Sequence, residues 1–191
     1  MSVWTELRTP AEMDLVVGLY DLTQYTLFSE RTEPLRLLKL MAGYHALIAD
    51  MIESAGGVFI KPIGDAGLFA FRAEDADKAV EMALRALEEG DAWIGREGYP
   101  GRARFGLHAG PVALGYIGPK GREWLDIIGK TVNIAARVRS YSLSITPAVF
   151  RLLSAAGRKK FRKHTPPMSY IRESDPRPRD YFAGFEEHIA R

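Results

Sequence analysis

The stretch GVFIKPIGDAGLFAF, residues 57–71, decides how this chain folds. Two apolar runs, Val58–Ile60 and Leu68–Phe71, have the composition of buried strands. Between them lie Gly64, Asp65 and Gly67. Glycine tolerates positive φ and aspartate hydrogen-bonds its own backbone, so the segment predicts a β-hairpin. Lys61 and Asp65 also put opposite charges four residues apart inside this core-like segment. An aspartate beside a glycine is ordinary turn chemistry by itself, so any function for these charges has to come from partners elsewhere in the chain.

Working outward, DLVVGLYDL (14–22) is a continuous apolar run closed by Asp21 and predicts a buried strand. TQYTLFSERTE follows as a polar connection. The next segment opens at Pro34, a good first-turn residue, and stops at Gly56–Gly57. Its apolar positions Leu37, Met41, Tyr44, Ile48 and Met51 recur at helical spacing. After the hairpin, DADKAVEMALRALEEG carries Ala76, Ala79, Val80, Ala83, Leu84 and Leu87 on one face and predicts a second helix ending at Gly90. RARFGLHAG and PVALGYIG predict two strands around Gly110–Pro111, REWLDIIG a short strand, and KTVNIAARVRSY a third helix. The order is βαββαβ, that of an α+β ferredoxin-like antiparallel sheet with additional C-terminal elements. Both helices then cover one face, and the other face needs a different cover, such as a partner. Beyond residue 145, TPAVFRLLSAAG predicts a short helix. RKKFRKH (158–164) predicts a solvated helix end or loop, and the proline-rich TPPMSYIRESDPRPRDYFAGF predicts loops with one or two edge strands.

Composition narrows the function classes. The 191 residues favour a single domain, 1–191, and 47% hydrophobic content supports a real core. A net charge of +2 gives no nucleic-acid signature. Without cysteine there is neither disulfide nor thiolate chemistry. No apolar run reaches the ~18 residues of a membrane span, and the N-terminus lacks the basic-then-apolar order of a signal peptide. The expectation is a soluble, cytoplasmic protein.

The chemistry-bearing residues form small groups. Asp21 ends the first strand and Asp65 sits at the hairpin tip; with the first strand beside the first hairpin strand, the two carboxylates converge at one end of the sheet. Close carboxylates repel unless a cation sits between them, and hard oxygen ligands suit Mg²⁺ or Mn²⁺, which also hold phosphates. Two turn residues remain the plainer alternative. GKT at 129–131 is not a Walker loop, because Trp124 stands where the pattern needs glycine. Asn133 and Arg137 lie four apart on one helix face. An amide and a guanidinium suit a ribose and a phosphate, or are simply a polar surface. His108, two residues before Gly110, reads as a hydrogen-bonded residue near a turn rather than a catalyst.

Taken together, GLYDLTQYT, IKPIGDAGLFAF, RFGLHAGPVALGYIG and WLDIIGKTVNIAAR resemble the catalytic domain of class III adenylyl and guanylyl cyclases, in order and approximate spacing from about residue 12 to 140. The resemblance implies roles. Asp21 and Asp65 match the metal-binding aspartates, with the Leu22 carbonyl as a further ligand, for two Mg²⁺ or Mn²⁺ ions per site. Thr23, Gln24, Tyr25 and Thr26 match the phosphate-cradling turn. Lys61 and Asp126 match the base-selecting pair, Asn133 the ribose-orienting asparagine and Arg137 the transition-state arginine. The family's sites are shared between two chains, so the implied partners are ATP and a second copy in a head-to-tail homodimer, with no nucleic acid. Because the resemblance begins almost at Met1, no fused sensor domain is expected.

Three departures stand out. Gln24 occupies a position usually held by glycine. Lys130 stands where the family more often has a polar or acidic residue. The family's late phosphate-binding lysine has no match; Arg172, Arg177 and Arg179 are candidate substitutes, Arg172 foremost because it follows the apolar MSYI. The expected activity is adenylate cyclase, ATP to cyclic AMP and pyrophosphate. Guanylate cyclase and a catalytically weak or inactive nucleotide-binding module are the alternatives.

Overall fold

The computed structural model describes Trp4 and residues 10–138, 142–164 and 169–175. β1 (Ala11–Leu22) leads through a short α1 (Tyr25–Glu30) into the long α2 (Pro34–Ser54). β2 (Val58–Ile63) and β3 (Ala66–Arg72) form the expected hairpin. A 3₁₀ turn then opens α3 (Ala76–Arg85), a π-helical turn (Ala86–Gly90) and α4 (Asp91–Arg96). β4 (Ala103–Ile117), β5 (Trp124–Ile128) and α5 (Lys130–Arg137) follow. Last come β6 (Leu143–Ile145), α6 (Pro147–Leu152), α7 (Ala155–Arg158), β7 (Phe161–His164) and β8 (Ser169–Arg172).

All eight strands join one sheet in the order β2-β3-β1-β4-β6-β8-β7, with β5 also paired to β4. Among the first four strands every neighbouring pair is antiparallel, as the βαββαβ reading requires. The neighbour of β1 is β3, not the first hairpin strand: α2 carries the chain past the central slot, β2 lands on the edge, and β3 returns beside β1. The convergence of Asp21 and Asp65 survives this correction, because Tyr20 pairs with Gly67 and the hairpin tip meets the end of β1.

Other expectations need amending. The polar connection after Leu22 contains the short helix α1. The second helix does not stop at Gly90, which is buried and lets the turn pack closely; a Cβ there would lie 3.2 Å from Ile48 Cδ1. RARFGLHAG and PVALGYIG are one continuous strand, β4, kept extended by β1, which pairs it from Ala103 to Leu114. On its other side β4 pairs in parallel with β6 over Phe105–Leu107 and antiparallel with β5 over Ala113–Ile117. Pro111 falls between these stretches, and its carbonyl accepts from the Thr131 hydroxyl at 2.7 Å. The basic run is not a loop or helix end throughout: Phe161 is buried and anchors β7, whose charged neighbours suit a sheet edge exposed to other chains. β8 lies between β6 and β7 rather than at an edge. The third helix is described as far as its cap at Val138; residues 139–141 lie outside the described part.

The period-two alternation of β1 splits the core. Val16, Tyr20 and Leu22 face the layer of α2, α3 and α4, together with Phe69, Phe71, Phe105 and Leu107. Leu15, Val17 and Leu19 face the opposite side with Leu68, Val112 and Leu114. That second face was expected to need an outside cover. The chain covers part of it, with Ile127 of β5 and Ala135 of α5 in the same apolar cluster. Gly18 leaves room for the Phe69 ring, since a Cβ there would sit 2.1 Å from Phe69 Cζ. Gly18→Ala is expected to lower stability by about 1–3 kcal/mol through overpacking. Urea denaturation checks this, and an unchanged midpoint would mean that Phe69 can move aside.

Candidate nucleotide site

The second face carries the charged residues singled out in the sequence, and a β-bulge is the reason. In an antiparallel pair, opposite residues share a face. Phe59 opposes Phe69 on the helix side, and strict alternation would put Lys61 there too. The register slips between Phe59 and Lys61, so Lys61 opposes Leu68 on the second face. Its ammonium there donates to Asp126 Oδ2 of β5. Asp126 is only 4% exposed, and its Oδ1 accepts from the Ile127 amide at 2.9 Å. A nearly buried carboxylate thus has a cation and a backbone donor, and Lys61, about one-third exposed, keeps part of its ammonium toward solvent.

Asp21 is half-buried at the end of β1, on the same face. Opposite it in the register stands Arg104 of β4, whose guanidinium donates through Nε at 3.1 Å and Nη2 at 3.0 Å, one bond to each carboxylate oxygen. Arg104 was missed in the sequence. Its only signal was an alternating charge in RARFG, and its meaning depends on a strand register the sequence does not display. Asp65 Oδ2 accepts from the Leu22 amide at 3.2 Å, which ties the hairpin tip to the end of β1. Asp21, Leu22 and Asp65 therefore lie together at one end of the sheet. Among the described residues no cluster of three or more His, Cys, Asp or Glu side chains exists that could hold a metal, so any cation here relies on two carboxylates plus backbone.

The Thr23–Thr26 turn follows directly. Thr23 is fixed by four bonds: its amide and hydroxyl donate to the Arg102 carbonyl, its hydroxyl accepts from the Arg102 amide, and its carbonyl accepts from the Tyr99 hydroxyl at 2.7 Å. Burial raises the Tyr99 phenol above its usual range, with further upward contributions from Asp65, Tyr25 and Asp21, so it remains a donor. Gln24, where glycine was expected, has φ 66°, the left-handed region. A side chain there costs about 1–2 kcal/mol of local strain. An open cleft of about 980 Å³ is lined by Thr23, Gln24, Arg102, Arg104 and Arg172, among others. Arg172 thus shares the cleft of the turn, whereas Arg177 and Arg179 lie outside the described residues.

Asn133 and Arg137 are exposed on α5, and Arg137 Nε donates to the Asn133 carbonyl at 3.1 Å. The start of α5 is fixed where Thr131 reaches Pro111, which pairs with Asp14 of β1. Asp14 is seven strand positions from Asp21, roughly 23 Å at ~3.3 Å per residue. The carboxylates with their turn therefore lie at one end of the second face and the start of the Asn133–Arg137 helix toward the other, while the Lys61–Asp126 pair links β2, at the level of Leu19, to β5. His108 hydrogen-bonds the Thr146 hydroxyl at 2.8 Å, and burial, with a smaller effect of Lys130, lowers its pKa. The hydrogen bond agrees with the sequence reading, but the turn does not, because His108 lies inside β4.

This face of an α+β domain thus carries two carboxylates at strand ends, the Thr23–Thr26 turn and the Lys61–Asp126 pair. The chain belongs to the adenylate and guanylate cyclase catalytic domain family, whose pattern it matches over residues 11–171. An adenylate cyclase of Anabaena cylindrica is 32% identical over 163 residues, 78% of this chain. The match spans 32% of that relative's length. Among solved structures, a bacterial light-regulated adenylyl cyclase superposes with TM-score 0.77 at 21% identity, covering 89% of this chain and 54% of the other. The adenylyl cyclase CyaB from P. aeruginosa gives TM-score 0.74 at 21% identity, covering 88% and 98%.

Breaking the Lys61–Asp126 pair from one side leaves a buried carboxylate without its cation. Lys61→Met is expected to destabilise the fold by about 1–3 kcal/mol. The double variant Lys61→Met/Asp126→Leu should recover part of that loss, because both charges are then gone. A double-mutant cycle in urea checks this; a purely additive result would contradict the pairing.

Proposed function

We propose that the chain is the catalytic domain of an adenylate cyclase that converts ATP to 3′,5′-cyclic AMP and pyrophosphate in a head-to-tail homodimer with shared sites. The observation that carries this reading is the Lys61–Asp126 pair. Lysine only donates, which suits adenine N1; a carboxylate only accepts, which suits the 6-amino group. Guanine presents a protonated N1 and an acceptor O6, so both contacts would be mismatched.

The remaining roles follow from the same chemistry. Asn133 orients the ribose so that its 3′-hydroxyl faces the α-phosphate, which contributes through proximity. The oxygen of that hydroxyl bonds to the α-phosphorus, the bond to the β-phosphate oxygen breaks, and the hydroxyl proton is released. Arg137 donates to the α-phosphate oxygens as negative charge builds there. Asp21, Asp65 and the Leu22 carbonyl, all hard oxygen donors, would hold Mg²⁺ or Mn²⁺, two ions per site, which supply activation of the hydroxyl and neutralise the triphosphate. The Gln24–Thr26 amides, with Arg172 replacing the family's lysine, cradle the phosphates, while the Thr23 amide is held by the Arg102 carbonyl.

Sharing of sites between copies is supported by the separation, along the strands, of Asp21 from the start of α5. It is supported further by exposed apolar side chains beside them: Ile63, Tyr116, Trp124 and Ile128. A catalytically weak or inactive module draws support from the strained Gln24. Incubation of the pure protein with Mn²⁺ and either nucleotide tests both readings. Cyclic AMP formation is expected to exceed cyclic GMP formation about ten- to hundredfold, from the mismatched buried polar groups. Asp65→Ala should abolish turnover without unfolding the chain. Comparable use of GTP would overturn the base assignment, and no product from either nucleotide would favour the inactive module.

A further inference from the structure

The hairpin tip that carries Asp65 is held from a direction the cyclase reading does not use. His45, on the inner side of α2, bridges two residues adjacent to the two carboxylates. Its Nδ1 lies 2.7 Å from the Tyr20 hydroxyl, and Tyr20 immediately precedes Asp21. Its Nε2 lies 2.9 Å from the Gly64 carbonyl, and Gly64 immediately precedes Asp65.

The partners fix the hydrogen positions. The Gly64 carbonyl only accepts, so Nε2 carries the proton and donates. In the neutral ring Nδ1 is then the acceptor, and the Tyr20 hydroxyl donates to it. Tyr20 is fully buried, and burial keeps its phenol protonated. Its ring is seated against the hairpin backbone, since a Cβ on Gly67 would come within 2.4 Å of it. Phe59 lies beside both rings, at 6.5 Å from Tyr20 and 6.4 Å from His45 between centroids.

The consequence concerns Asp65 directly. The Gly64 carbonyl and the Asp65 amide belong to one planar peptide unit, so fixing the carbonyl fixes the plane from which Asp65 projects. Gly64 itself has φ 64°, a conformation open to many alternatives for glycine, and β2 is the outer strand of the sheet. The bond from the Leu22 amide to Asp65 completes a circuit: Asp21–Tyr20, His45, Gly64–Asp65, Leu22.

We propose that His45 is a positioning residue that clips the Asp65 hairpin tip to β1 and so sets the spacing of the Asp21–Asp65 carboxylate pair for a divalent cation. The proposal rests on the metal reading given above, and its test does not need turnover. His45→Phe keeps a flat ring beside Phe59 and removes both hydrogen bonds; His45→Gln keeps an N–H donor for the Gly64 carbonyl. Mn²⁺ binding is followed by electron paramagnetic resonance of free Mn²⁺, and amide hydrogen exchange is read over residues 61–68. His45→Phe is expected to weaken Mn²⁺ binding about three- to tenfold and to speed exchange at the tip, the size of the lost hydrogen bond to the Gly64 carbonyl. His45→Gln should restore most of both. Should His45→Phe fail to fold, Tyr20→Phe removes the other bond with the ring retained and should move both readouts in the same direction.

Wild-type exchange and Mn²⁺ affinity in the folded variants would overturn the proposal, as would equal damage from His45→Gln and His45→Phe. Cyclic nucleotide formation separates the two readings. A wild-type protein that binds Mn²⁺, responds to His45→Phe and makes no cyclic nucleotide refutes the cyclase assignment and leaves the clip standing.

Discussion

A carboxylate with 4% exposure, Asp126, has to be compensated, and the compensation organises the second face of this protein. Its cation, Lys61, comes from the outermost strand on the far side of the sheet. It can arrive only because β2 slips register between Phe59 and Lys61. Without that bulge, Lys61 would point into the apolar layer under α2 and Asp126 would lack its partner. The same contact brings β5 toward β2, so the strand that leads into α5 lies over the sheet rather than away from it. The positions of Asn133 and Arg137 depend on that arrangement.

The opposite end of the face is organised by strand ends. Asp21 and Asp65 approach because β1 and the hairpin terminate together, and Arg104 across the β1–β4 register balances the first of these charges. Each end of this face is therefore stabilised inside one chain by an ion pair, Lys61 with Asp126 and Arg104 with Asp21. A site of this kind can fold before its substrate is present, because its charges are already paired.

Much of this was legible in the sequence. The hairpin was readable because Gly64, Asp65 and Gly67 have few other uses between two apolar runs. α2 was readable from a clean helical period and a proline start. The carboxylates were readable because Asp21 closes a buried strand and Asp65 sits in a glycine-flanked hairpin tip. What failed was local punctuation overruled by packing. Gly110–Pro111 has the composition of a turn, yet β1 pairs straight across it. Gly90 has the composition of a helix stop, yet it allows close contact with Ile48 and Tyr44. Phe161 sits in a basic run, and its burial makes the run a strand. In the site, Arg104 and His45 were invisible because their partners are defined by register and tertiary contact. The bulge at Lys61 was invisible because strict alternation gives the wrong face.

The central claim is that the two groups on the second face form one catalytic site only between two copies of the chain. Mixing two inactive variants tests it most directly. Asp65→Ala removes one half of the site and Arg137→Ala the other, so a mixed dimer contains one wild-type site. With subunit exchange verified by differently tagged chains, the mixture should regain up to about a quarter of wild-type cyclic AMP formation, because random pairing gives about half mixed dimers with one active site of two. Activity no higher than that of the separate variants, with exchange verified, would contradict the claim and place each site within a single chain.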